Sequence, residues 1–270
     1  MSRSKFETIT QAMLYALMFL TRLPVGRWLT NVTEQTAARA VYCYPLVGIV
    51  IGALLALAAF GLQPLGPPLS AALVLVLWVA VTGALHLDGL ADCMDAYYAG
   101  HKCGDAQQRR EKILQVMHDP ACGAIALVSL VLLLLVKWAA LSTLFTLFAH
   151  ESVVSVTSIL AAVIVTPVLA RTIILPFMTL NGYARREGTV PPASETNARR
   201  YWSIAVLVFA LCAMCVGFFV TAILLLGLVV FMLFWARLWQ RQIGGYTGDC
   251  LGALVELSEA LVLIVFVALW

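Results

Sequence analysis

Apolar runs too long and too continuous for the core of a soluble domain decide most of what this chain can become. Val41 to Leu62, Leu69 to Leu87, Cys122 to about Phe148, Ser152 to Leu175, Trp202 to Trp239 and the segment from Asp249 to Trp270 are the principal ones. A helix needs about 20 apolar residues to cross a hydrocarbon layer of ~30 Å. A transmembrane barrel would instead show segments of about ten residues with alternating polarity. The composition agrees, with 62% hydrophobic and 11% charged residues, against ~25% charged in an ordinary soluble domain. The fold expected is therefore all-α, a polytopic integral membrane bundle, with residues 1–270 forming one domain. Phe6 to Leu20 is short for a span and amphipathic, so it reads as an interfacial or re-entrant helix. The start, Ser2-Arg3-Ser4-Lys5, leads into no signal-peptide cleavage pattern, so no cleaved signal is expected.

Local signals divide the runs. Pro45 suits the first turn of a helix, and Gly48 and Gly52 form a GxxxG pair for close helix packing. Gln63 to Pro68 reads as an uncharged turn. Trp202 to Trp239 is too long for one span and divides near Gly217 to Thr221. Asp105 to Met117 is an amphipathic piece inside a polar loop. Seven spans result, plus the amphipathic N-terminal helix. Lys and Arg concentrate in the N-terminus, the 97–121 loop, the 181–200 loop (Arg185, Arg186, Arg199, Arg200) and the 236–249 segment (Arg237, Arg241). The turns at 63–68, 149–152 and 217–221 hold none. Positive residues favour the cytoplasmic side, so the N-terminus is expected in the cytoplasm and the C-terminus on the opposite side.

One stretch carries unusual polarity. Leu85 to Ala96 reads Leu-His-Leu-Asp-Gly-Leu-Ala-Asp-Cys-Met-Asp-Ala and follows directly on the second apolar run. Asp88, Asp92 and Asp95 stand at i, i+4 and i+7, offsets that share one face of a helix. Three carboxylates on one stripe repel each other unless a cation lies between them. Acids at the end of a span are costly and usually functional. Asp249 and Glu256 repeat the i, i+7 relation in the last span, with Glu259 further round, and Gly244, Gly245, Gly248 and Gly252 flank them. Asp119 is either an N-terminal cap or part of the same site. Arg22 is a snorkelling anchor or a phosphate ligand. Arg171, inside a span, needs an anionic partner, either a substrate phosphate or a site acid. Lys137 reads as a snorkelling residue. Cys212 and Cys215 have CxxC spacing but lie in an apolar run, where cysteine packs as a small hydrophobe.

Hard oxygen ligands suit Mg²⁺ or Mn²⁺, and no His/Cys cluster supports zinc. Carboxylates for a metal and arginines for phosphate together point to metal-dependent transfer of a phosphate-linked group at the cytoplasmic face. A CDP-alcohol phosphotransferase-like lipid enzyme and a cation-coupled membrane transporter are the alternatives. The acids cluster at one end of the spans and no inverted repeat is evident, which weighs against transport.

Four strings are similar to one family. They are Phe19-Leu20-Thr21-Arg22-Leu23-Pro24, Tyr44-Pro45-Leu46-Val47-Gly48, Leu85-His86-Leu87-Asp88-Gly89-Leu90-Ala91-Asp92 and Gly245-Tyr246-Thr247-Gly248-Asp249-Cys250-Leu251-Gly252-Ala253. Together with length and span pattern they resemble the adenosylcobinamide-GDP ribazoletransferase, or cobalamin synthase, family along essentially the whole chain. The resemblance implies that a hydroxyl of α-ribazole, or of its 5′-phosphate, attacks the cobinamide-linked phosphate of adenosylcobinamide-GDP. GMP would leave, and adenosylcobalamin or its 5′-phosphate would form. It implies Mg²⁺ held by Asp88, Asp92 and Asp95, with Asp88, Asp92 and Asp249 as catalytic candidates and no choice among them for the base. Arg22, Arg171 and Asp119 fall to the substrate phosphates, and Glu256, Glu259 and His86 to secondary roles. The implied partners are the two substrates and the lipid bilayer, with no nucleic acid. Homo-oligomer formation and contact with other cobalamin-pathway enzymes are both left open.

Overall fold

The computed structural model describes residues 3–30, 32–150, 153–184 and 198–270. Arg185, Arg186 and the turn residues Glu151 and Ser152 lie outside the described residues. The helices are α1 (Arg3–Leu20), α2 (Glu34–Ala40), α3 (Tyr44–Leu62), α4 (Pro67–Thr82), α5 (Leu85–Gly100) and α6 (Ala106–Val116), followed by α7 (Ala124–His150), α8 (Val153–Thr172), α9 (Ile174–Leu180), α10 (Ala198–Val216), α11 (Phe218–Ile243) and α12 (Gly248–Leu269). Six stretches among the described residues are long and apolar enough to cross a membrane, and a seventh arises if the bent pair α4 and α5 counts as one span. The chain is a multi-pass helical membrane bundle.

The helix boundaries follow ordinary local chemistry. Pro45 and Pro67 sit in first turns, where a missing N–H costs nothing. Asp105 caps α6 by accepting from Gln107 N and Gln108 N at 3.2 and 3.1 Å. Gly217, at φ 90°, separates α10 from α11 at the expected division.

Burial sorts the helices. The membrane-length windows of α8–α9 and α12 are 83% and 72% buried, so these are the central elements. Those of α10 and α11 are 17% and 28% buried, and outward residues such as Met214, Phe218 and Phe219 suit lipid contact. The GxxxG pair does what its spacing predicts. A Cβ on Gly48 would lie 2.6 Å from Val168 Cα, and one on Gly52 would lie 2.6 Å from Ile164 Cα. Helices α3 and α8 therefore touch backbone to backbone.

The acidic stretch is placed differently from a simple extension of the second span. That span ends at Thr82. Gly83 and Ala84 follow, both left-handed at φ 62° and 57°, and α5 leaves at 87° to α4. Ala84 holds a conformation that costs an L-residue roughly 1–2 kcal/mol. Ala84 N and Gly83 N close the end of α4 on the carbonyls of Val79 and Ala80 at 3.1 and 3.2 Å. The acids thus begin a separate helix that crosses the bundle.

Replacing Gly52 with Leu should force α3 off α8 and cost on the order of 1–3 kcal/mol or more, as overpacking does. Gly61→Leu, where a Cβ meets nothing within 4 Å, serves as the control. Thermal unfolding in detergent should drop for the first variant and hold for the second.

Candidate active site

Helix α5 crosses the start of α12 at two glycines. A Cβ on Gly89 would stand 2.8 Å from the Asp249 carbonyl oxygen, and one on Gly252 would stand 3.2 Å from His86 Cα. Larger residues at either position would separate the helices that carry Asp88 and Asp249. The beginning of α12 is fixed locally as well. Thr247 caps it, its Oγ1 accepting from Cys250 N at 3.4 Å. The same hydroxyl lies 3.1 Å from Asp249 Oδ2 and can donate to it.

The segment leading into α12 is pinned on its other side. Ala184 N donates to Tyr246 O at 2.8 Å and Tyr246 N donates to Gly182 O at 3.1 Å. Gly245 packs directly on the Gly182 carbonyl, where no side chain would fit. The Tyr246 ring is fully buried and meets Phe177 and Tyr183 edge-on at 5.6 and 5.5 Å. Burial, reinforced by Tyr201 and Tyr183, raises the pKa of its phenol well above the usual tyrosine value. Arg110 of α6 donates to Ile243 O and Ala184 O at 3.0 and 3.2 Å, joining three segments. Gly245 and Thr247 of the Gly-Tyr-Thr-Gly-Asp-Cys string thus serve the placement of Asp249.

Two cavities open around this crossing. One, of about 260 Å³, is lined by His86, Asp88 and Asp249 together with apolar groups from α1, α3, α5, α9 and α12. The other, of about 480 Å³, is more open and is lined by Asp88, Asp92, His118 and Asp119. Asp88 and Asp119 are exposed, while Asp92 and Asp249 are half-buried. Asp119 Oδ1 accepts from Ala121 N at 3.0 Å, turning the chain toward α7. So the structure brings Asp88, Asp92 and Asp119 to one cavity, and Asp88, Asp249 and His86 to the other.

The remaining predicted residues lie elsewhere. Asp95, expected on the metal, reaches the start of α7 instead. Its two oxygens accept from Gly123 N at 2.5 Å and Ala126 N at 2.9 Å. A carboxylate there satisfies otherwise unpaired donors and suits the positive end of the helix. Among the described residues no group of three or more His, Cys, Asp or Glu stands ready to hold a metal ion. Arg22 is exposed, and its stem crosses Gly83 at the bend before α5. Its backbone N donates to Val81 O at 2.7 Å.

Arg171, expected on a substrate phosphate, is fully buried and forms an ion pair with Glu259. Lys137, expected to snorkel, is 2% exposed and lies 2.8 Å from Glu256 and 2.5 Å from Glu259. Its ammonium also sits 4.5 Å from the Trp78 ring centroid. His86 Nδ1 is 3.4 Å from Arg171 Nη2. These four are all the buried Lys, Arg, Asp and Glu residues among the described residues, two of each sign. Of the alternatives open for Arg171, the acid on a neighbouring span is the one realised. No spacing signal could have joined Lys137 to residues more than a hundred positions away.

The comparisons with known proteins agree with one another. The family model described as cobalamin-5-phosphate synthase matches residues 12–267. An adenosylcobinamide-GDP ribazoletransferase of Pseudomonas paraeruginosa is 41% identical over 94% of this chain and 96% of its own length. The protein of the same name from Pseudomonas aeruginosa is 42% identical over the same shares. That from Stutzerimonas stutzeri is 41% identical over 93% and 96%. No solved structure matches the chain.

Removing Lys137 would leave two buried carboxylates without their ammonium. Lys137→Met should therefore destabilise the bundle by about 3–5 kcal/mol, the usual result of breaking a buried pair. Adding Glu256→Gln should restore part of that loss. Denaturant unfolding in a defined detergent checks both, and equal losses in the single and double variants would count against the pairing.

Proposed function

The chain belongs to the cobalamin-5-phosphate synthase family, and we infer that it transfers the cobinamide-phosphate group of adenosylcobinamide-GDP to α-ribazole or α-ribazole 5′-phosphate. The observation that supports the reading most is the meeting of α5 and α12, which sets Asp88 and Asp249 on one cavity and Asp88 and Asp92 on its neighbour. A ribazole hydroxyl oxygen attacks the phosphorus that carries cobinamide. A new P–O bond forms as the bond to the bridging oxygen breaks. GMP departs with that oxygen and its electron pair, and the hydroxyl proton passes to a carboxylate. Of the four carboxylates that line the two cavities, Asp88, Asp92, Asp119 and Asp249, Asp88, Asp92 and Asp249 are the candidate bases, each an acceptor in its ionised form.

We propose Mg²⁺ as the cofactor. The donor set suits it, because the exposed Asp88 and the half-buried Asp92, on successive turns of α5, offer hard oxygen ligands. Mg²⁺ commonly uses one or two protein carboxylates and takes the rest of its shell from water and substrate phosphates. Asp88 and Asp92 would hold it, with Asp119 on the facing wall and Asp95 committed to capping α7. When bound, the ion would neutralise diphosphate charge and help GMP leave. The residues of the chain orient the diphosphate toward Asp88 and keep the acceptor hydroxyl beside Asp249.

The proposed orientation follows from charge. Arg109, Arg110 and Lys112 of α6, Arg199 and Arg200 at the start of α10, and Arg237 and Arg241 near the end of α11 stand on the side where α12 begins. Positive residues favour the cytoplasm, so the site faces the cytoplasm of a bacterial inner membrane. Both substrates are charged or strongly polar, and that side admits them without crossing the bilayer.

Purified protein in liposomes should release GMP and form cobalamin product from adenosylcobinamide-GDP, α-ribazole and Mg²⁺. EDTA should stop the reaction and excess Mg²⁺ should restore it; turnover unaffected by EDTA would sink the metal assignment. Asp88→Asn and Asp92→Asn should each lower GMP release by ~100-fold or more, the scale of losing a principal electrostatic group. Asp95→Asn should act mainly on stability, by about 1 kcal/mol as for a lost helix cap. Wild-type turnover in Asp88→Asn would overturn the site.

A further inference from the structure

Helix α5 is a partition between two cavities, and Asp88 is its ridge. Among the described residues it is the one that lines both. The flank of α5 carrying Leu85, Asp88 and Gly89 faces the smaller cavity, and the flank carrying Ala84, Leu87, Ala91 and Asp92 faces the larger. A transfer between two bulky substrates needs them to approach one point from separate sides. The arrangement supplies that point and distinguishes the two sides chemically.

The smaller cavity is apolar over most of its wall, which comes from Phe19, Leu20, Tyr44, Leu85, Ile174 and Leu251. Its volume of about 260 Å³ falls just below the ~300–1,000 Å³ of pockets for drug-sized ligands, so it suits one fused ring with part of a sugar. Aromatic rings on its wall offer stacking surfaces to a planar heterocycle. Its acids, Asp88 and Asp249, are acceptors that match sugar hydroxyl donors. The wall of this cavity carries no Lys or Arg for a diphosphate, only His86 beside the two carboxylates. The larger cavity also has apolar wall, but it is more open and carries three carboxylates, Asp88, Asp92 and Asp119, beside His118, so a metal-bound diphosphate has carboxylates there to share a cation with.

We propose that the smaller cavity is the binding site for the benzimidazole nucleoside and that the larger one takes the nucleotide diphosphate, the two meeting over Asp88. The assignment rests on the transfer reaction inferred above. It makes the wall residues of the smaller cavity determinants of base selectivity, since ring substituents press on Phe19, Leu85 and Ile174. It also explains why apolar residues from four helices other than α5 converge on an acidic site.

The test uses the full-length protein in liposomes. Leu85 and His118 are both exposed, so enlarging either carries little folding risk. Leu85→Trp should raise the KM for α-ribazole by roughly 10-fold or more while moving the KM for adenosylcobinamide-GDP by less than about twofold, and His118→Trp should do the reverse, a split on the scale that pocket shape supplies. Free 5,6-dimethylbenzimidazole should compete with α-ribazole and not with adenosylcobinamide-GDP. Phe19→Ala, which enlarges the cavity, should weaken α-ribazole binding measured alone by equilibrium dialysis, and this stands in if Leu85→Trp does not fold. KM effects on the opposite substrates, or equal effects on both, would overturn the partition while leaving the reaction intact. A wild-type protein that forms no cobalamin product would instead defeat the underlying reading.

Discussion

Four charges buried in the membrane-spanning core set the terms for the rest of the structure. Lys137 and Arg171 face Glu256 and Glu259, with Trp78 and His86 at the margins. An isolated charge in such a place is prohibitive, so each must keep its partner. That requirement ties α7, α8 and α12 together and holds α4 and α5 beside them. A slide of α12 by one turn would strand two carboxylates. The network therefore acts on register, and register decides where Asp249 stands when α5 crosses it. Its net balance of two positive and two negative groups also bears on the choice between transport and transfer. Intramembrane ionisable residues often mark ion pathways, but here they neutralise one another, while Asp88, Asp92, Asp119 and Asp249 gather at the cavities near the start of α12.

The crossing of α5 and α12 depends on a second constraint, the absence of side chains at particular points. Gly89 lies against the backbone of Asp249, and Gly252 against that of His86. The bend at Gly83 and Ala84 turns α5 through 87° relative to α4 and makes the approach possible. A straight continuation of the second span would carry Asp88 and Asp92 away from the bundle. With the bend, α5 becomes a wall with a cavity on each side. The strings that carry the family likeness divide their labour accordingly. Gly245 and Tyr246 anchor the loop, Thr247 caps α12, Gly252 permits contact, and Asp249 is left facing the cavity.

Much of the architecture was legible before any coordinates. The spans, the break at Gly217 and the close packing through Gly48 and Gly52 all follow from local pattern. The shared face of Asp88 and Asp92 follows from helical period as well, whereas Asp119, open between a cap and the site, is brought to the same cavity only by the fold. Asp95 and Arg171 show where such reading ends. Asp95 shares the helix stripe of Asp88 and Asp92, yet its oxygens are taken by the start of α7, twenty-eight and thirty-one residues on. Arg171 carries the right charge for a phosphate, yet lies fully buried against an acid of another helix. A stripe says which residues share a face, not what that face meets.

The amino-acid sequence by itself determined that the chain enters a membrane as helices, where most of them begin and end, and which carboxylates were candidates for chemistry. These properties depend on hydrophobic length, on capping and on helical period, all of which act between residues near in the chain. Tertiary structure alone decided that Lys137 belongs with Glu256 and Glu259, that Asp95 is a cap, and that Asp88 stands on the ridge between two cavities. Those outcomes depend on pairing groups far apart in sequence within a medium that tolerates no unpaired charge, and only the packed bundle brings them within reach.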